Sequence, residues 1–141
     1  MTHSLKKFID AQSSTYEKAF TELKNGKKQG HWIWFIFPQI AGLGFSETSK
    51  FYSIKDIGEA RAYLADPSLG PRLIEISNVL LTLGSNDALK IFGSPDNLKL
   101  KSSMTLFSTL ETTHEVFDEV LLKFFNGERD EKTLNILRNQ K

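Results

Sequence analysis

Apolar residues recur at helical spacing along nearly the whole chain, and each run is bounded by a residue type that starts or stops a helix. Tyr16, Ala19, Phe20 and Leu23 stand at i, i+3, i+4 and i+7, one face of a helix. Gly26 follows as a stop, because glycine adopts the left-handed conformation without a Cβ clash. Leu5, Phe8 and Ile9 make a similar stripe before it, with Ser4 as its cap. The Ser13-Ser14 pair leaves open whether these stripes are one helix or two.

The same grammar continues downstream. Ser46 caps a turn through Phe51 and Tyr52, and Asp56 with Glu59 has the spacing of a capping box before Ile57, Ala60 and Leu64. Asp66-Pro67 closes that helix. Gly70-Pro71 opens the next, with Pro71 at the first helical position, and this helix carries Leu73, Ile76, Val79, Leu80 and Leu83 as far as Gly84. A short helix from Asp87 stops at Gly93. Asp96 caps a helix bearing Leu100, Met104, Phe107 and Leu110. Thr112 and Glu115 have capping-box spacing before Val116, Phe117, Val120, Leu121 and Phe124, and Gly127 is the stop. Asp130 caps a last helix with Leu134 and Leu137. The expectation is a single all-α domain over residues 1–141, with seven or eight short helices in irregular packing. Helices this short need tertiary contacts to persist.

Residues 26 to 46 break the pattern. Gly30, Pro38, Gly42 and Gly44 punctuate a very aromatic run from Trp32 to Phe37. Six apolar residues fit a buried strand or a short buried helix equally well by periodicity. No second clear strand exists to pair with them, so a short helix or extended core segment is favoured over a two-stranded ribbon spanning 32 to 54.

Composition narrows the function. The chain of 141 residues has 18 Lys+Arg against 17 Asp+Glu, a formal net charge of +1, which disfavours nucleic acid as a partner. Three lysines near Trp32, namely Lys24, Lys27 and Lys28, are the one local exception. No cysteine is present, which excludes disulfides and thiolate chemistry and suits a cytoplasmic protein. The longest apolar run is too short for a membrane span, and the polar start does not read as a signal peptide. No repeat or linker divides the chain.

The histidines are His3, His31 and His114, with no spacing that builds a metal site. No metal and no cofactor are therefore expected. His31 sits between Gly30 and the tryptophans, at i, i+3 from Trp34, and imidazole titrates near neutral pH. That makes it the candidate catalytic acid or base, against the plainer reading of a core-edge histidine bonded to a carbonyl. One tryptophan facing a pocket and one facing the core is the expected geometry. The Gln39 amide carries both a donor and an acceptor, which suits reading a ligand edge and equally suits capping the loop that follows. A second constellation lies in Lys99-Leu100-Lys101-Ser102-Ser103. On a helix Lys99, Ser102 and Ser103 share a face, and an ammonium with two hydroxyls suits a phosphate or carboxylate. The plainer alternative is a solvated face whose hydroxyls bond back into the helix. Asp96 and Glu47 are candidate carboxylates by residue type only.

The run His31 to Gln39, HWIWFIFPQ, resembles the HWMWFIFPQ signature of a bacterial family of unknown function to which the label calpastatin is sometimes attached. Gly42-Leu43-Gly44, Ala60 to Leu64, Leu69 to Leu73, Ile91 to Asp96 and Leu98 to Phe107 continue the resemblance, including the KLKSSMTLF motif. It runs from about Leu5 to Leu137. The resemblance implies a compact, mainly helical, cytoplasmic single-domain protein and implies no reaction. Calpain inhibition does not suit the composition: such inhibitors are long, polar and disordered, whereas this chain has 11 Phe and 2 Trp.

The leading expectation is a small-molecule pocket. Trp34 would stack on a planar ring, and Gln39 would read its edge. Lys99, Ser102 and Ser103 would hold an anionic group, and His31 would move a proton. A nucleotide or an ADP-ribose-type metabolite fits that mixture, with hydrolysis of a glycosidic bond as the imaginable reaction. The alternative is a non-catalytic protein-interaction module presenting a groove to a protein partner. The first reading requires the tryptophan-rich turn and the lysine–serine helix to meet, and His31 and Lys99 to face one cavity.

Overall fold

The computed structural model describes residues 5–140, so the Ser4 cap and His3 lie outside the described residues. Ten helices follow one another among those residues: α1 (Lys6–Ser13), α2 (Tyr16–Lys24), α3 (Ile33–Ile36), α4 (Glu47–Phe51), α5 (Ile57–Ala65), α6 (Leu69–Leu81), α7 (Ala88–Phe92), α8 (Asp96–Ser108), α9 (Val116–Phe125) and α10 (Glu131–Asn139). The class is all-α as expected. The count exceeds the expected seven or eight because α1 and α2 are separate and because the aromatic run and the turn capped by Ser46 each form a short helix, α3 and α4.

Local signals place most boundaries. The Asp56 carboxylate accepts from Glu59 N at 2.8 Å, and Asp87 and Asp130 cap α7 and α10 in the same way. Gly26, Gly93 and Gly127 all have positive φ at helix exits. Ser13-Ser14 does break α1 from α2. Three expectations shift. First, α6 begins at Leu69, two residues ahead of Pro71, because the Asp66 carboxylate accepts from both Ser68 N and Leu69 N. Pro71 still lies in the first turn, where its missing N–H has no partner to lose. Second, Asp96 is the first residue of α8 and does not cap it; its carboxylate is drawn away by two lysines. Third, Thr112 does not cap α9, since His114 Nδ1 accepts from Val116 N at 3.0 Å in its place.

One contiguous apolar cluster runs through the molecule. α6 packs on α2, α5 and α9, while α8 packs on α7, α9 and α10 and touches α3 and α5. Phe107 of α8 lies between Tyr63 and Phe117, with ring centroids at 5.4 and 5.8 Å. α3 is fixed by a buried polar clamp. The Gln12 side-chain amide donates to Phe35 O at 2.7 Å and to the Tyr63 hydroxyl at 2.9 Å, joining α1, α3 and α5. The aromatic run thus forms one helical turn and no ribbon. What remains of strand pairing is a single parallel bridge between Ile40 and Ile54, in which Ile54 N donates to Gln39 O and Ala41 N to Ile54 O, both at 2.8 Å. No described helix is long and apolar enough to cross a membrane.

Candidate functional site

The aromatic turn is seated by a carboxylate. Glu22 Oε1 accepts from Gln29 N, Gly30 N and Trp32 Nε1 at 2.8, 2.9 and 2.9 Å. Burial pulls its pKa up, but these donors and the Lys28 charge outweigh burial and hold the carboxyl below its ordinary value. Gly30 has no room for a side chain, since a Cβ there would meet Trp32 Cδ1 at 2.8 Å. Trp32 is therefore the core tryptophan, packed against Phe37 and Phe92, and Trp34 is the one left half-buried.

Across from it lies the start of α8. Asp96 binds Lys28 at 2.7 Å and Lys99 at 3.7 Å. Each lysine also covers a tryptophan: Lys28 Nζ is 5.0 Å from the Trp32 ring and Lys99 Nζ 5.2 Å from the Trp34 ring. Gln39 Nε2 donates to Ser102 Oγ at 2.8 Å. The tryptophan-rich turn and the lysine–serine helix, some sixty residues apart in sequence, thus meet in space.

Where they meet, a cleft of about 880 Å³ opens between α8, the loop after α3 and the start of α10. Gln39, Lys99 and Ser102 line it, with Pro95, Leu98 and Leu43 as apolar surface. Lys101, Arg129 and Lys132 add positive charge, and Glu128, Asp130 and Glu131 add negative charge. Asp130 is occupied as a cap, accepting from Thr133 N and Thr133 Oγ1. The wall supplied by residues 128–132 escaped sequence reasoning. It reads as an ordinary charged loop, and only the packing of α10 on α8 brings it to the cleft.

Two candidates are not brought in. His31 is exposed ahead of α3 and lines neither this cleft nor the smaller chamber behind Gln39, so it does not share a cavity with Lys99. The helical pairing of His31 with Trp34 fails because α3 starts only at Ile33. Ser103 is fully buried, its hydroxyl without a hydrogen bond among the described residues. A face shared by Lys99, Ser102 and Ser103 is too wide: the core takes Ser103 and the cleft takes the other two. Trp34 also differs from expectation, because it does not line the cleft but the smaller chamber behind Gln39, and the Lys99 ammonium already covers its ring. Of the lysines near Trp32, Lys28 has a side chain only 7% exposed and points inward to Asp96. Glu47 is exposed in the first turn of α4, away from the cleft lining. Among the described residues no cluster of three His, Cys, Asp or Glu suits a metal.

The crystal structure of the conserved hypothetical protein Rv1873 from Mycobacterium tuberculosis is similar to this chain throughout. The two share 42% identity, with a TM-score of 0.92 over 95% of this chain and 96% of that one. No curated protein matches the sequence. Neither that structure nor the matching family description mentions calpastatin. A family model described as "Protein of unknown function (DUF1810)" matches residues 2–137, and the chain belongs to that family.

Proposed function

We propose that the cleft binds a small organic anion of nucleotide or ADP-ribose type. The observation that carries this reading is the convergence of Gln39, Lys99 and Ser102 on one cavity of about 880 Å³, which lies within the ordinary size range of ligand sites. Lys99 is held between an indole face and a carboxylate, so its ammonium is positioned before any ligand arrives. Leu98, 57% exposed, adds apolar surface to the cleft wall against which an apolar part of a ligand could pack. Hydrolysis of the bound molecule needs a proton donor at the scissile bond. The cleft offers Glu128 and Glu131 for that role and no histidine. The reading therefore rests on binding, with hydrolysis as the reaction to assay.

The test is a thermal-shift screen with adenosine monophosphate, ADP-ribose and NAD. A ligand at a hundred times its dissociation constant stabilises by about 2.7 kcal/mol, a rise of roughly 5–10 °C for a chain of this size. Lys99→Ala is expected to abolish most of the shift. A folded Lys99→Ala protein that keeps the whole shift, or no shift with any of the three, overturns the reading.

A second reading, a surface for a protein partner, draws on one patch. Leu89 and Leu98 are more than half exposed beside Phe124 and Phe125, along a groove of about 520 Å³. Leu89→Lys leaves a small-molecule shift intact and would abolish association with a protein partner.

A further inference from the structure

Behind Gln39 lies a second, more enclosed chamber of about 260 Å³. Trp34 forms one side, the backbone from Gln39 to Gly44 another, and Ser49 to Ser53 at the end of α4 the third. It touches the cleft at Gln39 and Gly44, which line both spaces. Gly44 makes that boundary thin. A Cβ on it would lie 2.4 Å from Ser49 Cβ, so backbone alone fits between the loop and α4.

The chamber is aromatic and carries polar groups that nothing described satisfies. Trp34 Nε1 is buried with no acceptor. An N–H taken out of water and left unpaired is disfavoured, and native proteins keep few of them without a bound water or ligand. The Tyr52 hydroxyl makes no hydrogen bond with a described residue, although its ring is fixed against Phe8, Phe35 and Phe51 at centroid distances of 6.0, 5.1 and 4.8 Å. Lys50, at the rim, has no ion pair among the described residues. Gln39 spends Nε2 on Ser102 and keeps Oε1 free to accept. The residues lining the chamber thus bring donors without a described partner, on Trp34, Tyr52 and Lys50, next to the Gln39 amide.

We infer that this chamber is the ring pocket of the site, taking a planar nitrogen heterocycle whose ring nitrogens accept from Trp34 Nε1 and the Tyr52 hydroxyl, while an exocyclic amine donates to Gln39 Oε1. The inference rests on the cleft reading for the anionic part of the same ligand, which Lys99 holds on the other side of Gln39. It also relocates the role of Trp34. The indole contributes its N–H to the chamber, and its ring face stays with Lys99. Adenine has the matching edge, a ring-nitrogen acceptor beside an amino donor.

The two parts are tested with separate probes, adenine for the chamber and inorganic pyrophosphate for the cleft, each at millimolar concentration, by thermal shift and by tryptophan fluorescence. Adenine is expected to raise the melting temperature and to quench Trp34. Its affinity should fall about tenfold in Trp34→Phe, which keeps a flat ring and loses the N–H. It should fall less in Tyr52→Phe, which keeps the ring packing, and stay unchanged in Lys99→Ala. Pyrophosphate should show the opposite sensitivity, lost in Lys99→Ala and kept in both chamber variants. Adenine binding that is absent in the wild type, or insensitive to Trp34→Phe and Tyr52→Phe, overturns the chamber assignment while leaving the cleft standing. Adenine binding lost in Lys99→Ala moves the ring into the cleft and overturns it too. Pyrophosphate without effect in any variant removes the cleft reading, and the adenine results then decide the chamber alone.

Discussion

Gly70→Ala separates helix propensity from packing because the two have opposite signs. Gly70 is the second residue of α6 and its φ is not positive, so propensity alone makes alanine about 1 kcal/mol better there. The structure leaves no room for it. A Cβ at this position lies 2.0 Å from Leu64 O and 2.9 Å from Leu64 C, both backbone atoms of α5. Ordinary contact begins at 3.4 Å, so the two helices must part by about 1.4 Å, the difference between 3.4 and 2.0. A gap of that size removes a quarter to a half or more of the dispersion contact across the interface, to which α5 brings buried Ala60 and Tyr63 and α6 brings buried Leu69 and Leu73. Overpacking costs about 3 kcal/mol at the upper end of its usual range, and a main-chain clash belongs at that end. Subtracting the propensity gain of about 1 leaves a net loss of about 2 kcal/mol or more, a fall of roughly 4–8 °C in melting temperature. Gly84→Ala is the control. Nothing lies within 4 Å of a Cβ there and φ is not positive, so the substitution should stabilise by about 0.4–1 kcal/mol through the unfolded chain. Urea denaturation of both variants reads the two signs directly. A Gly70→Ala protein as stable as the wild type would refute the close approach of α5 and α6.

Asp96→Asn should cost about 3 kcal/mol in urea unfolding, because it strands Lys28, whose side chain is only 7% exposed, without a counter-charge; adding Lys28→Met should recover part of the loss, and a cost under about 1 kcal/mol would contradict the pairing. Thr105→Val keeps the shape of a buried side chain but removes the acceptor of Asp130 N at 2.9 Å, so a loss of about 1–3 kcal/mol is expected, with faster amide exchange at Asp130 and along α10. The Glu22 carboxyl is held below its ordinary 4.5 in the folded state, so its stabilisation is present above that pH and is lost as pH falls through the depressed folded value. Glu22→Gln should therefore flatten the acid limb of a stability–pH profile. At the alkaline end, burial first and then the Glu75 carboxylate push the Tyr16 hydroxyl above 10, so its share of stability holds below that pH and fades above it, an alkaline loss that Tyr16→Phe removes.

Much of the helical layout was legible from the sequence because caps and stops act over three or four residues. Asp56, Asp87, Asp130, Gly26, Gly93 and Gly127 each act on backbone groups within a turn or two of themselves, whatever the rest of the chain does. The same locality explains the misses. Asp96 has the sequence look of a cap, but a lysine 68 positions earlier reaches it through the fold and outcompetes the helix N–H groups. His114 displaces Thr112 as the cap of α9 for want of any signal in the spacing of the two.

The candidate site divides along the same line. Residue types in the HWIWFIFPQ and KLKSSMTLF runs pointed to Trp34, Gln39, Lys99 and Ser102, and the structure pairs Lys99 with Trp34 and Gln39 with Ser102. Helical spacing could group Ser103 with Lys99, yet only the packing of α8 against its neighbours decides which side of that face is core. His31 stands close to Trp34 in sequence, but α3 begins two residues beyond it and leaves it in solvent. The charged wall at 128–132 and the unpaired Trp34 N–H are products of long-range contact alone. Sequence by itself determined most of the places where helices begin and end, since hydrogen bonds within a turn carry that information. Tertiary structure decided which faces meet and which polar groups are left open, since those depend on where distant helices come to rest.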